Sequence, residues 1–343
     1  MKIKMRKIIA LSLSILGFSC FCVAQQDVLF SQYMFNRLSY NPAYAGSSGS
    51  ICATVMYRNQ WLGLKLDPPA EGYTAGSTPT DYLFSFDLPV KFLHGGLGLV
   101  AASDKLGYNS SFFGGLDYAF RIFWGPGNMS AGVEATVMSV SRDYTQLIGS
   151  SSMTGTIYNP IGDTEDPLLS GGKDANDMMI DVATGIYYQV PGLYYFGISV
   201  KNLLAAHSDI LHFQNARTVY LMGGYDYVIP ANPSFRLKPS ALVKMADFNL
   251  RSLQLEGTCR LEYQNAFWGG VSYRFQDAIV FLAGINWNKI RIGAAYDLTT
   301  SRLGTPGKSG RSAGTLEVYL RYCFKVIIPP KPPSVYRNTR YLF

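Results

Sequence analysis

Residues Leu316-Glu-Val-Tyr-Leu-Arg-Tyr-Cys-Phe324 decide the fold class. Leu316, Val318, Leu320, Tyr322 and Phe324 share one face, and Glu317, Tyr319, Arg321 and Cys323 share the other. Period-two alternation marks a strand whose two faces meet different surroundings. Here the apolar face ends on two aromatics and the opposite face carries charge, the pattern of a strand between lipid and a polar lumen. As the last strand of a barrel it closes the ring on the first. The chain between must then supply an even set of similar strands.

Composition agrees with that demand. Charged residues make up 15% of the chain, which is rich in Tyr (24), Phe (20) and Gly (34); a soluble domain carries about 25% charged residues. The opening Met1-Lys-Ile-Lys-Met-Arg-Lys7, the apolar run after it and the small residues at Cys22-Val-Ala24 read as a secretory signal peptide over 1–24. Beyond it no uninterrupted apolar run approaches the roughly 20 residues a spanning helix needs, and only a closed barrel crosses lipid without helices. Four of the 30 basic residues belong to the leader, which lowers the formal charge of +7 by four and removes the case for a nucleic-acid partner. Two of the five cysteines lie there as well. The remaining Cys52, Cys259 and Cys323 form neither a disulfide framework nor a metal-binding spacing, and Cys259 and Cys323 read as packing residues within strands.

The predicted strands are 50–60, 81–90, 95–103, 108–123, 128–142, 177–190, 193–203, 218–229, 234–246, 249–263, 267–275, 278–286, 289–299 and 315–324. The fold class is therefore all-β, an antiparallel transmembrane outer-membrane barrel over 50–324 with about 14 strands; merging a hairpin gives 12. Connection lengths supply an independent check. With a periplasmic N-terminus, every long connection (61–80, 143–176, 204–217 and 301–314) falls on the outer side and the periplasmic turns are all short, as in outer-membrane barrels.

Two segments flank the barrel. Residues 25–49 are aromatic-rich, with Leu29, Tyr33, Phe35 and Leu38 on one side of a short predicted helix and Asn41-Pro42 and Gly46 punctuating a turn. Such a piece needs burial, as a plug in the barrel or packed beneath it. Residues 325–343 contain Pro329, Pro330, Pro332 and Pro333 and read as an extended periplasmic tail, either disordered or a docking peptide.

Nothing in the chain points to catalysis. His94, His207 and His212 fit no ligand or triad spacing. Gly304-Thr-Pro-Gly-Lys-Ser309 ends like a P-loop, but Arg302 stands where the first glycine belongs and no helix follows. Asp163, Glu165, Asp166, Asp174 and Asp177 offer Ca²⁺-type oxygens without an EF-hand spacing, so a solvated cluster is the expectation. We expect no enzyme and no cofactor. The inward-facing charges read from the alternation are Glu134, Asp181, Arg236, Lys238, Lys244, Glu256, Arg260, Glu262, Arg274, Arg291, Asp297, Glu317 and Arg321. Their signs nearly balance. That favours salt-bridged packing or a filled interior over the single-sign rings of an ion-selective pore.

Phe30-Ser-Gln-Tyr33, Asn41-Pro-Ala-Tyr-Ala-Gly46 and Tyr57-Arg-Asn-Gln-Trp61 resemble the PorP/SprF family of outer-membrane proteins of the Bacteroidetes type IX secretion system. Gly197-Ile-Ser-Val-Lys-Asn-Leu203, Pro239-Ser240, Tyr296-Asp297 and Leu316-Glu-Val-Tyr-Leu320 follow in family order, although Leu316 fills a place where the family usually carries histidine. The resemblance implies a non-enzymatic barrel in the outer membrane of a Gram-negative cell. Its partners would be lipid, type IX secretion or gliding components, a secreted adhesin with a type B C-terminal domain, and a periplasmic ring component. The motif residues it singles out, for structure or partner contact, are Gln32, Tyr33, Asn41, Pro42, Ala43, Tyr44, Gly46, Arg58, Gln60 and Trp61. The rival function is an outer-membrane porin or small-solute transporter, since barrels of this size can enclose a channel.

Overall fold

The computed structural model describes residues 28–62, 78–107, 109–142, 175–211, 213–300 and 314–325. Fourteen antiparallel strands form a closed ring. They are β1 (Ser50–Asn59), β2 (Thr80–Val90), β3 (Gly95–Leu106), β4 (Asn109–Trp124), β5 (Gly127–Arg142), β6 (Ala175–Val190) and β7 (Tyr194–Lys201). Then follow β8 (Thr218–Tyr225, resuming at Tyr227–Val228 beyond Asp226), β9 (Phe235–Ala246), β10 (Gln254–Tyr263), β11 (Phe267–Arg274), β12 (Ala278–Trp287), β13 (Ile290–Thr299) and β14 (Thr315–Lys325). Each strand pairs with its sequence neighbours, and β1 pairs with β14 from Ser50↔Lys325 to Asn59↔Leu316. No edge is left, which is what allows a sheet to sit in lipid with its backbone groups satisfied.

Alternation sets the two faces as the sequence reading requires. On β14, Leu316, Val318, Leu320, Tyr322 and Phe324 are exposed, whereas Glu317 and Tyr319 are fully buried and Arg321 nearly so. The same division runs through β6, where Ile180 and Ile186 face outward and Asp181, Ala183 and Tyr187 inward. Exposed aromatics gather toward the strand ends. Phe123, Trp124, Phe267 and Trp287 stand at the short-turn end and Tyr82, Phe112, Tyr273 and Phe275 at the other, the two girdles of a membrane barrel. The barrel is that of an outer-membrane protein.

Three expectations are corrected. Cys52 and Cys323, both read as unpaired, are directly opposed across the β1–β14 seam, with Cα atoms 4.2 Å apart, and form a disulfide. Facing residues of an antiparallel pair come to about 4.5 Å, so pairing the first and last strands brings the two thiols into range. Cys259 is not a buried packing residue but an exposed one on the outer face of β10. That strand also begins at Gln254 rather than 249. Asn249 accepts from the Arg251 N–H and caps a 3-10 turn over Leu250–Ser252, so the chain bends before it pairs. The acidic cluster before Ala175, the segment containing Gly304-Thr-Pro-Gly-Lys-Ser309, His212, the leader and the proline tail lie outside the described residues.

The connection 202–217 turns inward over the long-loop end. A two-rung hairpin pairs His207 and Ser208 with Gln214 and Phe213, and Leu211 is buried against Val140 and Met179. Asp181 holds it from the wall by accepting the N–H groups of Leu204 (2.9 Å) and Ala206 (3.1 Å).

Candidate functional site in the barrel lumen

Residues 28–48 run inside the ring. Leu29, Phe30, Tyr33, Met34, Phe35, Leu38, Tyr40 and Tyr44 are all buried and share one apolar cluster with the inner faces of the strands. Each such side chain contributes on the order of 1.5–3 kcal/mol by leaving water. The short helix expected here is replaced by two 3-10 turns, Tyr33–Phe35 and Pro42–Tyr44. The reason lies in the wall: the Ser31 and Gln32 N–H groups donate to the two oxygens of Glu317 at 2.8 and 2.9 Å. A carboxylate aimed at successive N–H groups fixes a local backbone shape that no longer helix is needed to satisfy.

The segment is tied around nearly the whole ring. On the β11–β14 side, Arg274 pairs with Glu256 (3.0 Å) and Asp297 (3.3 Å) and donates to the Ser31 hydroxyl at 2.7 Å, which in turn donates to Asp297 at 2.8 Å. Arg58 of β1 donates to the Leu29 carbonyl. Arg321 donates to the Phe35 carbonyl at 2.5 Å and to the Tyr44 hydroxyl at 3.3 Å. Across the lumen, the Arg37 guanidinium donates to the Tyr187 hydroxyl at 2.9 Å and lies 3.6 Å from the Tyr195 ring centre. Ser199 and Lys201 of β7 donate to the Tyr40 and Ser39 carbonyls at 2.5 and 3.1 Å. Lys201 also lies 3.3 Å from Glu134. At the short-turn end, Arg121 donates to the Ala45 and Gly46 carbonyls and the Ser47 hydroxyl, while Asp87 accepts the Gly46 N–H at 3.2 Å. Hydrogen bonds to charged groups contribute about 1.5–3 kcal/mol each, so these anchors outweigh any single one of them.

Asn41 carries the most specific contact. Its side-chain amide donates to the Ile186 and Ile198 carbonyls at 3.0 and 3.2 Å, bridging β6 and β7, while its oxygen caps the second turn by accepting the Ala43 N–H at 2.9 Å. Pro42 follows at the first position of that turn, where its missing N–H costs nothing. The wall makes room with glycines. A Cβ on Gly185 would lie 2.3 Å from the Asn41 oxygen, on Gly197 2.8 Å from its nitrogen, and on Gly132 2.3 Å from the Ala43 nitrogen. Gly46 leaves the turn at φ +64°, with the Leu88 carbonyl 2.7 Å from where a Cβ would sit, so glycine is required twice over.

Of the ten residues singled out from the sequence, Gln32, Tyr33, Asn41, Pro42, Ala43, Tyr44 and Gly46 lie on this segment, and Arg58 reaches it from β1. Tyr33 donates to the Ser240 hydroxyl at 3.1 Å. The Gln32 side-chain amide is fully buried with neither its nitrogen nor its oxygen hydrogen-bonded, an arrangement that costs about 1–3 kcal/mol. Gln60 and Trp61 stand apart, at the long-loop end of the seam, where their N–H groups donate to the Pro79 carbonyl (2.8 Å) and the Thr315 hydroxyl (3.2 Å). The later motif blocks, distant in sequence, converge on the same segment. Gly197, Ser199 and Lys201, then Ser240, Asp297, Glu317 and Tyr319 each meet it. Ser31, Arg37, Arg121 and Asp87 are partners that alternation alone did not single out.

Two cavities flank the segment. One, of about 150 Å³ toward the long-loop end, has Phe30 and Tyr40 on its segment side and Leu83, Phe113 and Lys201 on the wall. The other, of about 680 Å³ toward the short-turn end, has Phe35, Arg37 and Tyr44 on its segment side. They share no lining residue.

A family described as type IX secretion system membrane protein PorP/SprF matches residues 22–322. No curated protein matches. Among solved structures, the chain is similar to the TodX deltaS2S3 mutant monoaromatic hydrocarbon channel (11% identity, 84% of this chain and 94% of that one, TM-score 0.48). It is also similar to the CymD monoaromatic hydrocarbon channel (14%, 87% and 94%, 0.46) and to the Acinetobacter baumannii outer membrane protein Omp33 (8%, 80% and 99%, 0.42).

Proposed function

Since the chain belongs to the PorP/SprF family of type IX secretion system membrane proteins, we propose that this barrel is a non-enzymatic accessory that supports export and surface attachment of a large adhesin with a type B C-terminal domain, within the secretion and gliding machinery. The observation that carries the reading is the convergence of the family motif blocks on one lumenal segment. A barrel that spends those residues on filling its own lumen works through its surfaces, not through a wide pore. Gln32, Tyr33, Asn41, Pro42, Ala43, Tyr44, Gly46 and Arg58 then act by fixing the segment, and Gln60 and Trp61 by shaping the outer end of the seam where a client would arrive. Residues 325–343 dock a periplasmic ring component; truncation after Lys325 should leave an assembled barrel but lose that component on co-purification.

The role is tested by deleting the protein and measuring surface display of type B adhesins alongside uptake of small solutes. Display should fall while uptake stays normal. Normal display would refute the role, and impaired uptake with normal display would favour the porin alternative.

A further inference from the structure

Charge in the lumen is not matched evenly at every height. Toward the long-loop end the wall carries Asp81, Asp181, Glu256, Asp297 and Glu317, nearly offset by Arg58, Lys201, Lys244 and Arg274. Toward the short-turn end, which is periplasmic in outer-membrane barrels, Asp87 and Glu262 are buried in the wall, but cations predominate around one cavity. The cavity of about 680 Å³ there is lined by Arg37, Lys238, Arg260, Lys289, Arg291 and Arg321, with Asp226 as its one acidic lining residue. A pocket of that size accommodates a ligand of several hundred daltons.

The cations are placed against their own preference. Arg291 of β13 is directly opposite Arg321 of β14, and Lys238 of β9 directly opposite Arg260 of β10. Like charges facing one another across a strand pair are destabilising, and here it happens twice on one cavity wall. Close ion pairs form only at the second pair: Lys238 meets Glu262 (2.9 Å) and Asp226 (3.4 Å), and Arg260 reaches Glu262 at 4.0 Å. Arg321 is spent on a carbonyl and a hydroxyl. Among the described residues no carboxylate lies within ion-pair distance of Arg291 or Lys289, both exposed at the mouth. Aromatic and apolar groups interleave with the charges. Arg260 lies over Phe35 (4.5 Å) and Arg37 over Tyr195 (3.6 Å), with Tyr44 between.

We propose that this vestibule binds an acidic peptide segment presented from the periplasm, with carboxylates on Arg260, Arg291 and Lys289 and apolar side chains on the Tyr44 and Tyr195 surface. Guanidinium forks match carboxylates bidentately. The aromatic walls need a ligand with apolar groups beside its charges, which a peptide has and an inorganic phosphate lacks. Lipid headgroups do not reach the site, which lies inside the ring of strands. Residues 326–343 carry Lys331, Arg337 and Arg340 and no acidic side chain, so no side chain of that segment supplies the anion. The inference goes beyond the adhesin role and does not require it.

The test uses the full-length protein in mild detergent and fluorescein-labelled Glu-Glu-Phe-Glu-Glu-Phe, read by fluorescence anisotropy. Arg291→Gln with Lys289→Gln removes the two charges at the mouth without touching residues 28–48. Lys105→Gln, at the opposite end of the barrel, serves as control. The acidic peptide should bind and the Lys-Lys-Phe-Lys-Lys-Phe counterpart should not. The double variant should weaken binding about tenfold, Lys105→Gln should change nothing, and added salt should weaken the wild type. Failure of the acidic peptide to bind, or equal binding by the double variant, overturns the proposal. Competition by pyrophosphate at concentrations equal to the peptide's would also overturn it, assigning the site to a small phosphate.

Discussion

The seam disulfide makes a quantitative prediction. Cys52 and Cys323 close a loop with a sequence separation of 271 residues, and the chain-entropy relation for such a loop gives about 5–6 kcal/mol of destabilisation of the unfolded ensemble at 25 °C. Measured links span about 0–5 kcal/mol, so the relation sets the upper end. Replacing both cysteines by serine leaves the ten paired positions of β1 and β14 in place, so the barrel should still assemble. Its urea midpoint, followed by tryptophan fluorescence in micelles, should fall. With a slope of about 3 kcal/mol per molar, the full entropic term shifts the midpoint by roughly 1.5–2 M. Reductant added to the wild type should reproduce the shift, and Cys259→Ser, on the outer face, should not. If the double variant and the wild type unfold at the same midpoint in oxidising buffer, the reasoning fails.

Two substitutions probe the inner segment. Asn41→Ala removes two donors to β6 and β7 and the cap on the second turn, a loss of about 2–4 kcal/mol, read as a lowered unfolding midpoint. Gly132→Val drives side-chain atoms into the Ala43 backbone. Limited proteolysis should then cut within residues 28–48 while the barrel keeps its folded, unboiled mobility in SDS gels; a segment as protected as in the wild type would refute the packing.

The strands and their faces were legible because lipid and lumen impose period-two alternation on every staggered segment, seen plainly in Ile180 to Tyr188 and Leu316 to Phe324. Relations between strands were not. Alternation within β1 and β14 says which way Cys52 and Cys323 face, but the register that sets them opposite arises only when the ring closes. Burial of residues 28–48 follows from their aromatic content, whereas their partners do not, since Glu317 and Ser199 lie 286 and 159 residues along the chain from the groups they meet. Among the lumenal charges of the first strands, Arg58 is legible only through the family motif, and Asp81, Asp87 and Asp117 stand on strands whose small and aromatic residues blur the pattern. The start of β10 is not legible because the alternation of Phe248 to Arg251 runs up to the strand although it is out of phase with Leu253 and Leu255, and the Asn249 cap turns the chain there.

The claim on which the account rests is that residues 28–48 occupy the lumen and leave no wide path through it. Planar-bilayer recording of the purified, oxidised protein tests this most directly. We predict a silent barrel, with no stable conductance steps across a range of voltages. Steady, porin-sized steps from the intact wild-type chain would contradict it.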